Sequence, residues 1–149
     1  MKRLNEVIGL PVMCGGQRMG FVSALCLSPD AHDVIGLNMQ RSFRGGIFVP
    51  ESGIRRLGER FVEIDRPQAQ KTRPGAKFAP ACDAQGMQLG LITDAAIDEQ
   101  TLHVTALEIT FGPLDDLIGG RRWVHRFTAE AHTGRIVISL PEWERGRPS

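Results

Sequence analysis

Two stretches of this chain, seventy residues apart, read as copies of one another. GQRMGFVSALCL (Gly16–Leu27) aligns with GMQLGLITDAAI (Gly86–Ile97). Gly16 falls on Gly86, Met19 on Leu89, Gly20 on Gly90, Val22 on Ile92 and Leu27 on Ile97. The same offset carries Val34 to Val104 and Leu37 to Leu107. An insertion then shifts the register, after which Phe48-Val49-Pro50 aligns with Trp123-Val124-His125 and Arg60–Ile64 with Arg135–Ser139. A single duplication of this length means two copies of one small unit, not a solenoid of many. Units of roughly 65–70 residues are marginal in core size. The two are therefore expected to pack on each other or on a second chain.

Between the copies, DRPQAQKTRPGAKF (Asp65–Phe78) carries two prolines, several Lys and Arg, and few apolar residues, the composition of a connecting segment. The expected organisation is a first unit over 1–66, a linker over 67–77, a second unit over 78–143 and a polar tail over 144–149. Each unit reads as all-β. Gly20–Leu27 is an apolar strand that ends at the turn signal Ser28-Pro29-Asp30. Asp33–Met39, Ile47–Val49 and Phe61–Ile64 follow as further strands. Short strands with closely spaced turn signals suggest a small barrel or sandwich. In the second copy, TFGPLDDLIGGRRW (Thr110–Trp123) predicts a short helical insertion: Pro113 suits a first helical turn, Asp115 and Asp116 favour its N-terminal end, and Gly119-Gly120 stops it.

The ordered set of these segments resembles the PRC-barrel domain. Ile8-Gly9-Leu10-Pro11-Val12 matches its opening strand, and Gln17–Leu27 the long strand after the first turn. Val34–Leu37 matches the next strand, followed by Phe48-Val49-Pro50-Glu51 with Ile54, and Val62 with Ile64. The resemblance implies two tandem small PRC-type β-barrels. Relatives occur in the H subunit of photosynthetic reaction centres and in the C-terminal part of the ribosome maturation factor. The family implies an assembly or interaction module and brings no shared catalytic residues. This chain has two PRC-like copies and lacks the transmembrane helix of the reaction-centre subunit.

Composition narrows the function classes. The net charge of +1 gives no global field toward nucleic acid or anionic membranes. No apolar run approaches the ~18 residues of a membrane span, and no signal peptide is read at the N-terminus. Three widely spaced cysteines suggest a reducing, cytoplasmic setting with free or buried thiols. Gly15-Gly16 with Gly20 has neither the spacing nor the following helix of a dinucleotide fingerprint. A hairpin turn at positive φ, with Gly20 relieving crowding on a bent strand, accounts for it. Cys14, Cys26 and Cys82 lack the paired spacing of a zinc site; Cys26 reads as a small core residue, and Cys14 and Cys82 differ by two positions in the repeat. Asp94 stands where the first copy has Ala24, so one face of that strand is expected to be solvated. No catalytic residue, cofactor or metal is expected.

Two candidate surfaces remain. Phe111, Leu114, Leu117 and Ile118 form the apolar face of the expected insertion, a candidate docking surface. Arg41, Arg44, Arg121 and Arg122 form a candidate basic edge, with Phe43, Trp123 and Phe127 nearby and Trp123 placed by alternation in the core. The expectation is a non-catalytic adaptor or self-associating scaffold with an unknown protein partner, a homodimer being one arrangement. The alternatives are a ribosome- or RNA-associated factor acting through arginine-rich edges, and a small-molecule binder with a pocket between the barrels.

Overall fold

A computed structural model describes residues 1–76, 80–110, 122–130 and 135–138. The first unit contains β1 (Lys2–Arg3), α1 (Leu4–Val7), β2 (Pro11–Cys14), β3 (Gln17–Leu27), β4 (Val34–Arg41), β5 (Gly45–Pro50), a 3-10 turn at Glu51–Gly53, β6 (Ile54–Leu57) and β7 (Val62–Ile64). The second contains β8 (Pro80–Cys82), β9 (Gln88–Ile97), β10 (Val104–Thr110), β11 (Arg122–Val124), β12 (Phe127–Ala129) and β13 (Ile136–Ile138). The chain is all-β and forms two tandem small barrels. Their sheets have the same order, β5-β4-β3-β2-β7-β6 and β11-β10-β9-β8-β13-β12. The β2–β7 and β8–β13 pairs are parallel, and the other neighbours within the two barrels are antiparallel.

The seventy-residue repeat is reproduced in the strand pairing. Val22 pairs with Met39 and Ile92 with Ile109; Leu25 pairs with Leu37 and Ala95 with Leu107. The same two bulges interrupt both ladders. Gly20 and Gly90 explain their own recurrence. A Cβ on Gly20 would lie 2.1 Å from the Gln40 carbonyl oxygen, and one on Gly90 2.3 Å from that of Thr110. No side chain fits where the long strand bends against its neighbour. Gly15 and Gly16 take φ of 56° and 81°, the conformation of a primed two-residue hairpin, here closed by the Cys14–Gln17 pair.

Two alignments shift by one position. Met13 pairs with Arg18 and Cys82 with Gln88, so the second turn is one residue longer and Cys82 takes the place of Met13, next to that of Cys14. Parallel pairing sets Val62 on Val12 and Ile136 on Ala81. Val62 is thus equivalent to Ile136, one residue away from the alignment of Arg60 with Arg135. Apolar alternation is equally good in both registers of so short a strand, and hydrogen bonding chooses between them. The Phe48–Pro50 match with Trp123–His125 holds, since Val49 faces Leu37 and Val124 faces Leu107.

The buried apolar side chains form a contiguous cluster through both units, from Val12, Val22 and Leu37 to Ile92, Leu107 and Ile138. It also takes in Leu4 and Val7 of α1, a helix of one turn that packs on β9 and β3. The inserted residues Phe111, Leu114, Leu117 and Ile118, together with Arg121 and the tail over 144–149, lie outside the described residues. No helix among the described residues is long and apolar enough to cross a membrane.

Candidate functional site: the seam between the barrels

Each barrel is crossed by the segment of chain that leads into the other barrel. The N-terminal arm precedes the first barrel but lies on the second: Lys2 pairs with Ile97 and Arg3 with Ala96 of β9. The connection precedes the second barrel but lies on the first: the Ala76 N–H donates to the Leu25 carbonyl at 2.7 Å, and the Phe48 N–H to that of Gln70 at 3.0 Å. In both cases the arm takes the half of the long strand's edge that the preceding hairpin leaves open. The residues expected to link the barrels thus include an ordered strap.

Arg3 organises the contact on the second barrel. Its Nε donates to Asp94 Oδ2 at 2.8 Å and its Nη2 to Glu108 Oε2 at 2.9 Å. Its guanidinium lies 5.3 Å from the centre of the Trp123 ring. Asp94 Oδ1 accepts the N–H groups of Asn5 (3.1 Å) and Ala95 (2.8 Å), and Glu108 Oε1 accepts the Thr93 hydroxyl (2.8 Å). The hydrogen bond it donates to Asp94 holds the Arg3 guanidinium above its ordinary pKa against desolvation, with Glu108 adding to it. Asp94 does not mark a solvated face: it is only 1% exposed, because the arm covers it and supplies the charge that lets a carboxylate be buried.

The connection repeats the arrangement with neutral groups. Arg73 lies over the Phe48 ring at 4.5 Å. Asn38, equivalent to Glu108, donates through Nδ2 to the Arg73 carbonyl at 2.6 Å and accepts the Arg73 N–H at 3.0 Å. Trp123, equivalent to Phe48, is not a core residue. It is 38% exposed where Phe48 is 2% exposed, and the arginine on it comes from a different arm.

The barrels meet at equivalent residues. Asp33 and His103, related by the repeat, form an antiparallel bridge, and the His103 Nδ1 contacts Asp33 Oδ1. The Val34 N–H donates to the Leu102 carbonyl at 2.9 Å, and the Val104 N–H to the His32 carbonyl at 2.8 Å. These exchanged bonds place a local two-fold axis at the Asp33–His103 bridge. Beside it His32 stacks on Phe127 across the seam, with ring centres 4.5 Å apart; Phe127 is buried, not an exposed platform.

A groove opens on one side of this seam. Its larger part, about 1090 Å³, lies between the β6–β7 hairpin (Arg55–Phe61), the N-terminal arm (Met1, Lys2, Glu6) and the β9–β10 turn (Glu99, Gln100). A second part, about 450 Å³, continues over Pro11, Met13 and Arg18 and shares Arg60 and Phe61 with the first.

The sequence-derived basic edge is placed differently. Arg41 closes its own hairpin, donating to the carbonyls of Gly45 (3.2 Å) and Arg44 (3.0 Å). Arg44 is exposed beside the fully exposed Phe43. Arg122 belongs to the other barrel, opposite Ile109, in the register position of Ile47; its buried Nε has no hydrogen-bond partner among the described residues. Among the described residues no three His, Cys, Asp or Glu side chains converge on a metal-sized site. Sequence reasoning missed Arg3, Arg73 and the pairing of Asp33 with His103. The seventy-residue spacing relates Arg3 to Arg73 and Asp33 to His103, so the repeat itself was the signal that could have found them. No protein-family model matches this chain, and no curated protein matches it.

Proposed function

We propose that this chain is a non-catalytic protein-interaction or assembly module of the PRC-barrel type, acting as an adaptor or a self-associating scaffold in the cytoplasm. The observation that carries this proposal is the open edge of the first barrel. Among the described residues its ladder runs from β5 to β6 without closing, and β6 ends beside a groove that both barrels line. Open sheet edges recruit strands from partners. The exposed Phe21, Phe43 and Phe61 add apolar area on the same barrel. Free rather than disulfide-bonded cysteines suit a reducing compartment.

A second proposal, a small-molecule binder, draws on the groove itself, since pockets favour domain interfaces. Cross-linking in native cells followed by capture and mass spectrometry tests the first, with light scattering of the purified chain for self-association. A reproducible partner, or a dimer, supports it. A strictly monomeric chain with no reproducible cross-link sinks it. A ligand that raises Tm in the absence of any partner favours the second.

A further inference from the structure

β6 is an edge strand with an unusual setting. One side pairs with β7, Ile54 with Ile64 and Leu57 with Val62. No described strand pairs with its other side. Arg55, Arg56 and Leu57 also line the larger part of the groove. An edge strand therefore forms part of the groove wall.

The groove favours one kind of occupant. Arg55 makes a 3.3 Å ion pair with Asp65, both side chains being well exposed, a contact of little strength. Lys2, Arg56 and Arg60 make no ion pair among the described residues. Of the carboxylates on the opposite wall, Glu99 meets the N-terminal amine at 3.4 Å and Glu6 accepts the Arg3 backbone N–H at 3.5 Å. Glu59 and Glu63 also line the groove without an ion pair among the described residues, against Lys2, Arg18, Arg56 and Arg60, so the unengaged charge is positive in balance. Where the two parts of the groove join, the half-exposed Phe61 offers an apolar anchor point next to Pro11 and Met13. The larger part alone, about 1090 Å³, exceeds the ~300–1,000 Å³ usual for small-molecule sites, and β6 contributes Arg55, Arg56 and Leu57 to its wall.

We propose, building on the interaction-module function, that this groove takes an extended acidic segment of a partner protein, added as a strand along β6. The backbone of the segment would bond the free N–H and C=O groups of β6. Its carboxylates would meet Arg56, Arg60 and Lys2, and one apolar side chain would rest on Phe61. Two copies of this chain pairing through β6 would set Arg55 and Arg56 against themselves, which like-charge repulsion opposes.

The test uses the full chain and a fluorescein-labelled synthetic peptide in which Glu and Asp alternate with Val around one central Phe. Controls are the same peptide with Lys for every acid, the acidic peptide N-methylated at alternate amides, and single-stranded oligouridine. The acidic peptide should bind at low salt and weaken toward ~0.15 M. Both altered peptides should lose binding. The double variant R56E/R60E, with Tm unchanged, should weaken it by about tenfold or more. Hydrogen exchange on the unaltered protein should show slowed Arg55–Leu57 amides with peptide bound, a readout that needs no variant to fold. The inference is overturned if the acidic peptide does not bind, if the N-methylated form binds equally, if protection appears elsewhere than β6, or if only oligouridine binds. Should the peptide fail while cellular cross-links map to another surface, the interaction module stands and the β6 site falls. Should both fail, neither stands.

Discussion

Arg3 and Arg73 stand seventy positions apart, and each lies over the aromatic ring at the same place in the barrel opposite its own strand run: Arg3 over Trp123 and Arg73 over Phe48. The two contacts differ in what lies beneath them. Arg3 rests on Asp94 and Glu108, whereas the equivalents of those carboxylates in the first barrel are Ala24 and Asn38.

Removing Arg3 should take the paired cation from buried Asp94 and one charged partner from Glu108. Arg3→Ala is expected to destabilise the protein by about 2 kcal/mol, less than for a fully buried pair because the Arg3 side chain is partly exposed. The triple change R3A/D94A/E108N, which puts the Ala24 and Asn38 of the first barrel in place of the two carboxylates, should recover most of that loss. Urea unfolding of both variants measures this. A triple variant as unstable as the single one would show that the arm is held by packing of Leu4 and Val7 instead.

Alanine at the bend of either long strand should be costly. The Cβ of Gly20→Ala or Gly90→Ala would fall within 2.1 or 2.3 Å of a carbonyl oxygen on the neighbouring strand, so the ladder must move. A loss of about 2 kcal/mol or more is expected at each, against a small change for Gly53→Ala, whose nearest contact would be a Val49 methyl at 3.4 Å. Equal midpoints for all three variants would contradict the close approach.

Acid should loosen the two β-turns at the seam. The Ser28 hydroxyl, with the His32 N–H, holds Asp30 below its ordinary pKa, and the Gln100 and Thr101 N–H groups do the same for Asp98. A lowered folded-state value stabilises above the unfolded pKa of ~3.9 and is lost as pH falls through the folded value. Stability measured from about pH 6 down to about pH 2 should therefore converge with that of D30N/D98N at the acid end and exceed it above ~4. Parallel curves for the two proteins would remove these carboxylates from the account.

The thiols should react in a fixed order. Cys14 is partly exposed, while Cys26 and Cys82 are buried. Burial raises the Cys26 thiol pKa, with Arg73 opposing, and the strap lies against it, the Cys26 Sγ being 3.8 Å from the Arg73 carbonyl oxygen. A maleimide should label Cys14 in the folded protein, and Cys26 and Cys82 only in denaturant, as peptide mass mapping would show. Labelling of Cys26 at the Cys14 rate would mean that the strap lifts freely from β3.

The repeat made the barrel strands legible because apolar side chains and glycines recur at fixed offsets. Gly20 and Gly90 carried their reason in their spacing, and Phe48 and Trp123 were aligned correctly. The burial of Asp94 was not legible: nothing near it in sequence supplies the cation, which comes from Arg3 ninety-one residues away. Trp123 was misplaced for the same cause, since alternation reports on a strand's own sheet and not on the arm that crosses it. Lys2–Arg3 and Ile54–Leu57 are too short for periodicity to distinguish strand from loop, yet the first clamps the second barrel and the second borders the groove.

The axis through Asp33 and His103 has a further meaning. In a dimer of two identical chains, a residue on the two-fold axis meets its own copy, so an acid faces an acid and a base faces a base. Joining both halves in one polypeptide lifts that restriction. Here one half contributes a carboxylate and the other an imidazole to the same contact, and one arm sits on ions where the other sits on an amide. Covalent fusion lets such a protein break its own symmetry, and the groove at β6 lies where the two halves have become free to differ.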